Sequence, residues 1–244
     1  MGIEAGSSTY YQAKRGTVQD GLVLHLDAGV KESYSGGTTF IDMKSGNNLT
    51  LANGALGGRV NGGGIDFDGT DDYAYKTGLS YTPYCVDVWF HNDIDITKDN
   101  KPGGGYEMIL GMGNYPGGIS CRAFTAAMTD ETIGFWTPSY QTNGATYIRD
   151  NVYSGDHNLT FNWNGSTYDI WLDGVKRTTY AYTPSTTPIH ANLISRNSVY
   201  LGRSSTVYSY NFDGIIYCLA IYSSQLTDSQ VLQNFNALRH RFGV

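Results

Sequence analysis

Short stretches of alternating apolar and polar residues recur along this chain, each closed by Gly, Asn, Asp or Ser, and this rhythm constrains the fold more than any other feature. In QDGLVLHLDAG, residues 19–29, Leu22, Leu24 and Leu26 fall on one face and Val23, His25 and Asp27 on the other, with Gly29 as the stop. The even positions are expected to face the core. In YCVDVWFHN, residues 84–92, Tyr84, Val86, Val88 and Phe90 alternate with Cys85, Asp87 and Trp89, the pattern of a central strand. Residues 40–54 read as strand, turn at 45–48, strand. Residues 62–76 read as a hairpin-like unit: Ile65 and Phe67, a turn over 68–72, then Tyr73 and Tyr75.

Further strands are predicted at 106–111, 119–125, 131–136, 145–148, 157–163, 167–173, 175–180, 198–203 and 214–222. The clearest hairpin joins HNLTFNW to YDIWLDG through Asn164-Gly165-Ser166, since Asn-Gly suits the twist of tight hairpin loops. Many short strands with a turn signal between nearly every pair predict a sandwich or a barrel.

One helix is predicted, over 226–242. Thr227 and Gln230 form a capping box, and Val231, Phe235 and Leu238 make an apolar stripe with Leu232 beside it. The basic end, Arg239-His240-Arg241, suits the negative pole of the helix and is expected to be a solvated cap. Residues 1–19 mix polar and small side chains without a period and read as an arm or docking segment.

The formal charge of -6 comes from scattered Asp, and no Lys/Arg run exceeds two residues, so nucleic acid is not an expected partner. No apolar stretch approaches the roughly 20 residues that cross a bilayer, and the first residues lack a signal-peptide core, so neither membrane insertion nor export is expected. Cys85, Cys121 and Cys218 are widely spaced with no C-x-x-C; they read as small buried hydrophobes on strands, one disulfide plus a free thiol being the alternative.

Six pieces taken in order resemble the laminin-G/concanavalin A-like family, in the form found in tailed-phage virion structural proteins. They are DGLVLHLDAG (20–29), GIDFDGTDDYAY (64–75), VDVWF (86–90), YDIWLDGVKR (168–177), YLGRS (200–204) and residues 212–243. The resemblance implies an all-β, two-sheet antiparallel β-sandwich (jelly roll) with a short C-terminal helix, one domain over 20–244 behind an arm over 1–19. Family members include lectins, adhesion modules, glycoside hydrolases and virion surface proteins, so function has to come from sites.

Glycosidases on this fold use paired carboxylates, normally glutamates. This chain has four: Glu4 in the arm, Glu32 and Glu131 near turns, and Glu107 alone in YEMIL. The equivalent Glu-x-Asp-x-Glu strand would fall on NDIDI, 92–96, which lacks both, so no catalytic residues are assigned and no enzyme is expected. The sequence has no Gly-x-Ser-x-Gly elbow or phosphate loop, and its five histidines are scattered.

No cofactor is required by this reading. Calcium is the cation to consider, because Asp66, Asp68, Asp71 and Asp72 offer hard oxygens; the preferred reading of Asp68-Gly69 is a turn whose carboxylate accepts from its own backbone. Glycan binding needs an aromatic platform with amides or carboxylates nearby. Trp136, Tyr140, Gln141 and Asn143, then Tyr153 with Asp156, and Tyr208 and Tyr210 with Asn211 are the candidate residues, against the competing reading that tyrosines simply suit strands and interfaces.

The expected function is a non-enzymatic virion structural protein, a capsid decoration or tail/fibre component on the virion surface, assembled in the host cytoplasm and contributing to host attachment. The arm would bind other virion proteins, and a homo-oligomer is expected. The alternative is a glycan-binding, receptor-binding module at a fibre or spike tip, recognising a host surface glycan; a polysaccharide hydrolase is the lesser alternative.

Overall fold

The structure is a computed structural model that describes residues 16–58, 63–81, 83–92, 106–112, 118–122, 132–136, 145–149, 155–163, 168–177, 180–182, 198–203 and 211–244. Its strands, in chain order, are β1 (Leu22–Asp27), β2 (Thr39–Phe40), β3 (Leu49–Ala52), β4 (Leu56–Gly58), β5 (Gly64–Asp68), β6 (Tyr73–Thr77), β7 (Cys85–Asn92), β8 (Tyr106–Met112) and β9 (Gly118–Arg122). They continue with β10 (Thr132–Trp136), β11 (Ala145–Arg149), β12 (Gly155–Trp163), β13 (Tyr168–Leu172), β14 (Val175–Arg177), β15 (Tyr180–Tyr182), β16 (Ser198–Leu201) and β17 (Asp213–Tyr222). The helix α1 spans Asp228–Leu238 and runs on into a 3-10 turn, Arg239–Arg241.

Among the described residues two antiparallel sheets form a sandwich, as the alternation requires. The first has eight strands, in the order β14-β13-β12-β7-β17-β5-β4, with β1 also paired to β17. The second has nine, in the order β15-β11-β10-β9-β8-β16-β6-β3-β2. Between them lies one apolar core in which Leu24, Leu26, Phe67, Val88, Phe90, Leu159, Phe161, Ile216 and Leu219 from the first sheet meet Phe40, Leu49, Ala74, Ile109 and Leu201 from the second. β7 is central, flanked by β12 and β17, and its eight residues are almost all buried.

That near-complete burial has a second cause: the outer face of the first sheet is covered too. α1 and residues 16–18 pack on it, in two apolar clusters. Trp89, Tyr217 and Cys218 meet Phe235, Leu238 and Phe242, while Cys85, Trp171, Tyr222 and Leu22 meet Val18, Leu226 and Val231. The Trp89 ring stacks on Phe235 at 5.6 Å and on Phe242 at 4.6 Å. Gly174 lets the β13–β14 turn sit directly on Phe235, because a Cβ there would come within 2.5 Å of the ring. Cys85 and Cys218 are buried free thiols, as expected of small strand hydrophobes, and Cys121 lies in β9.

The capping box is present: Thr227 Oγ1 accepts from the Gln230 N–H and Gln230 Oε1 accepts from the Thr227 N–H. Thr227→Ala is expected to cost about 1 kcal/mol in a urea-unfolding experiment. Leu232, placed beside the apolar stripe by its spacing, is 38% exposed, and Asn234 takes an inward position instead.

Four expectations need correction. Leu22, expected on the core face with Leu24 and Leu26, packs on the outer face with Val18 and Tyr222, because the register shifts between Leu22 and Leu24. The segment 62–76 is not a hairpin: β5 pairs with β17 in the first sheet and β6 with β16 in the second, so the turn over 68–72 crosses between layers. The single strand expected at 175–180 ends at Arg177; β14 belongs to the first sheet and β15 to the second, another crossing. Arg241 is not a solvated cap. Its guanidinium donates to both carboxylate oxygens of Asp27, at 2.7 and 3.0 Å, and the Asp27 side chain is fully buried although alternation put it on the outer face. Sequence alternation tells which face a residue takes, but not that α1 returns to cover it.

Candidate functional site

The crossing turn between β5 and β6 gathers the carboxylates that the sequence singled out. Asp68 Oδ1 accepts from the N–H groups of Thr70 at 2.8 Å and Asp71 at 3.3 Å, and Asp72 Oδ2 accepts from the Asp68 N–H at 3.3 Å. The turn reading of Asp68-Gly69 is therefore correct. The Thr70 N–H holds the Asp68 carboxyl below its usual range, whereas burial, then the charge of Asp68, pushes Asp72 up.

Ligand oxygens of Asp68, Asp71 and Asp72 all lie within 4.8 Å of one another. A hard cation takes roughly six to eight oxygens, so three carboxylates, partly occupied by backbone donors, could supply only part of a calcium shell. Asp66, in β5, is a separate exposed position on that strand.

Other elements converge on this turn. Asn53, at a φ of 65° in the β3–β4 turn, donates from Nδ2 to the Asp71 carbonyl at 3.0 Å. Its neighbour Gly54 leaves room for the Asp72 carboxylate, since a Cβ there would stand 3.0 Å from Oδ1. Asn211 donates from Nδ2 to the Thr70 carbonyl.

Next to the acids, β6 presents two half-buried tyrosines on its outward face, with Ala74 between them pointing into the core. The Tyr73 and Tyr75 rings lie 5.6 Å apart, Tyr75 stacks on Tyr200 at 6.2 Å, and the Arg203 guanidinium sits over Tyr73 at 4.6 Å. Tyr200 itself is 3% exposed, so it backs the pair rather than offering a face of its own. The result is a two-ring aromatic ladder flanked by a guanidinium, a side-chain amide and exposed carboxylates.

Of the candidate residues named from sequence, Asp68, Asp71 and Asp72 come together here. Tyr208 and Tyr210 lie outside the described residues, in a segment whose flanking positions, Arg203 and Asn211, both stand at this site. Tyr153 also lies outside them; the next strand begins at Gly155, which pairs with Asn92 at the end of the sheet where Asp213 pairs with Asp68. Trp136 ends β10, and register sets Tyr75, Tyr200, Gly111, Gly118 and Trp136 in one cross-strand row. Tyr140, Gln141 and Asn143 lie outside the described residues.

Sequence reading missed Tyr73, Tyr75, Asn53 and Arg203. The usable signal was Tyr-Ala-Tyr immediately after an Asp-rich turn. It also missed two pairings at the same end of the first sheet. His91 Nδ1 lies 2.7 Å from Asp156 Oδ1, which also accepts from the Tyr217 hydroxyl, and His157 Nδ1 lies 2.9 Å from Asp173 Oδ2.

Residues 104–232 match the family described as the concanavalin A-like lectin/glucanases superfamily. The chain belongs to that superfamily. No curated protein sequence matches it. Among solved structures it is similar to a Trypanosoma rangeli sialidase in complex with sialic acid, with a TM-score of 0.61 at 13% identity over 95% of this chain and 38% of that one. It is similar to the botulinum neurotoxin serotype D binding domain, TM-score 0.60 at 10% identity over 89% of this chain and 52% of that one. Domain 4 of AbnA, an extracellular arabinanase of Geobacillus stearothermophilus in complex with arabinotriose, gives 0.53 at 16% identity over 89% of this chain and 99% of that domain. These likenesses carry the fold. The chain spans about half or less of the sialidase and the toxin domain. No helix among the described residues is long and apolar enough to cross a membrane.

Proposed function

We propose that this chain is a non-catalytic glycan-binding module, and that its sugar site is the Tyr73–Tyr75 ladder with the turn beside it. The observation that carries this reading is the pair of half-buried, outward tyrosine rings set against Arg203, Asn53 and the carboxylates of Asp68 and Asp71. Rings give an apolar face to the C–H side of a sugar, and the polar groups can pair with its hydroxyls, the mixture expected of a specific polar-ligand site. The sialic acid and arabinotriose complexes among the similar structures are in keeping with it.

The non-catalytic part rests on carboxylate placement. Among the described residues the carboxylate raised furthest toward a general acid's range is Asp87, held at about 6 by burial, and α1 seals it from any substrate. Glu107 stands in β8 without a second glutamate on that strand.

Binding of the isolated domain to a panel of neutral and sialylated oligosaccharides tests the reading. Tyr73→Ala with Tyr75→Ala is expected to weaken binding more than about fivefold, the usual scale for truncating aromatic anchors, while circular dichroism stays native. Loss of binding instead in Trp136→Ala with Tyr140→Ala would move the site off the ladder. Calcium at Asp68, Asp71 and Asp72 is part of the proposal: millimolar Ca2+ should raise the unfolding midpoint of the wild type and leave Asp68→Asn with Asp71→Asn unchanged.

The proposed setting is the surface of a tailed-phage virion, as a capsid decoration or tail component, with the part of the 1–19 arm that precedes Gly16 as the attachment segment and symmetric copies of the chain side by side. Support comes from the six-piece resemblance and from the root of the arm, where Val18 donates to Asn234 and the Gly16 carbonyl accepts from Gln233. Deleting residues 2–15 keeps that root. Normal incorporation of the truncated chain into particles would defeat the anchoring role.

A further inference from the structure

Between the two apolar clusters beneath α1 runs a polar seam. Its residues occupy neighbouring positions on the outer face of the first sheet: Trp171 pairs with Thr160, Thr160 with Asp87, and Asn158 with Trp89. All are buried: Asn158 and Thr160 at 0%, Trp89 at 1%, Trp171 and Asp87 at 5%. Cross-strand neighbours have Cβ atoms roughly 4.5–5.5 Å apart, so this is one compact patch.

Part of the seam is paired. Asn158 Nδ2 donates to Asp87 Oδ1 at 2.6 Å, Asn234 of α1 also bonds Asp87, and Asn234 Nδ2 reaches the Tyr222 hydroxyl at 2.9 Å. The Asn234 carbonyl oxygen accepts from the Val18 N–H at 2.8 Å.

Four atoms of the same patch have no hydrogen-bond partner among the described residues: Trp89 Nε1, Trp171 Nε1, Asn158 Oδ1 and Thr160 Oγ1. Turning the Asn158 amide would not cure this, because its oxygen would then face the Asp87 carboxylate. A single orphan can be tolerated. Four in one patch, each costing about 1–3 kcal/mol if left bare, would strip a domain of much of its net stability.

The chemistry of the set names its ligand. Two atoms only donate, one only accepts and one does both, beside a carboxylate with acceptor capacity. A small neutral molecule that accepts and donates at once satisfies all of them, and water is that molecule. We propose that the seam is a built internal water site, in which ordered water accepts from the Trp89 and Trp171 indoles and donates to Thr160 Oγ1 and Asn158 Oδ1. It ties β7, β12 and β13 together under α1.

The test uses the whole chain. Water-selective nuclear Overhauser spectra should show cross-peaks from long-lived water to both indole N–H protons. Thr160→Val, equal in shape but without a hydroxyl, should abolish the Trp171 cross-peak and raise the unfolding equilibrium constant about five- to tenfold, the scale of one lost buried hydrogen bond. Trp171→Phe provides a second variant and should destabilise in the same sense. If the indoles show no water contact and Thr160→Val is more stable than the wild type, as deleting a bare buried hydroxyl would make it, the site is dry and the proposal fails.

Discussion

Alanine at position 241 is expected to lower the unfolding free energy by about 3–5 kcal/mol, the largest single effect anticipated for this chain. Arg241 is the charged partner of a fully buried carboxylate, bonding both oxygens of Asp27 while its NH1 also lies 3.6 Å from the Cys218 sulfur. Removing it leaves Asp27 with the Gly29 N–H, which donates to Oδ1 at 2.9 Å, and the Cys218 thiol, and no opposite charge. Arg241 follows α1 directly and its guanidinium also lies over the Phe242 ring, so the loss should loosen the packing of Phe242 on Trp89. Urea unfolding of Arg241→Ala, Asp27→Asn and the double variant would measure it. The double variant should cost less than the sum of the singles, because most of the penalty is the orphaned charge. A cost for Arg241→Ala below about 1 kcal/mol, the range of surface pairs, would mean that the pair is solvated.

Asp87→Asn is expected to stabilise the domain at neutral pH and to flatten its pH profile. Burial holds the Asp87 carboxyl at about 6, well above its ordinary 3.8, with the Asn158 and Asn234 amides pulling the other way. A folded value above the unfolded one means that the fold favours the protonated acid. Its contribution is fully present below about pH 4 and is lost as pH rises through about 6. At about 1.4 kcal/mol per unit, the difference amounts to roughly 3 kcal/mol. The wild type minus Asp87→Asn stability difference should therefore fall by that order between pH 4 and 7 and then level off. A difference that stays constant across this window would show that Asp87 does not titrate there.

How much of this could be read from the sequence depends on whether each feature is local. The alternation of β7, the core positions Leu24 and Leu26 of β1 and the Thr227–Gln230 box are decided by residues a few positions apart, and each was legible; Leu22 was not, because a register shift between Leu22 and Leu24 turns it to the outer face. The turn over 68–72 was legible as a turn, but the same Asp-Gly chemistry serves a hairpin and a crossing between sheets. What decides is that β5 meets β17 and β6 meets β16, pairings more than a hundred residues distant. The burial of Asp27 was hidden for the same reason, since its partner Arg241 lies 214 residues away. At the candidate site the acidic residues were legible by type. Tyr73 and Tyr75 were hidden because tyrosines that alternate along a strand look alike whether they pack or recognise, and Asn53 and Arg203 because only the folded sheet brings their turns to β6.

The central claim is that sugar is held at the Tyr73–Tyr75 ladder. Titrating sialyllactose and arabinotriose into the isotope-labelled protein and mapping the amide shifts tests it most directly. The account expects at least one of them to bind, with the largest changes at Tyr73, Tyr75, Arg203, Asn53 and the turn over 68–72. Binding whose shifts gather elsewhere, or saturation of neither sugar at millimolar concentration, would contradict it.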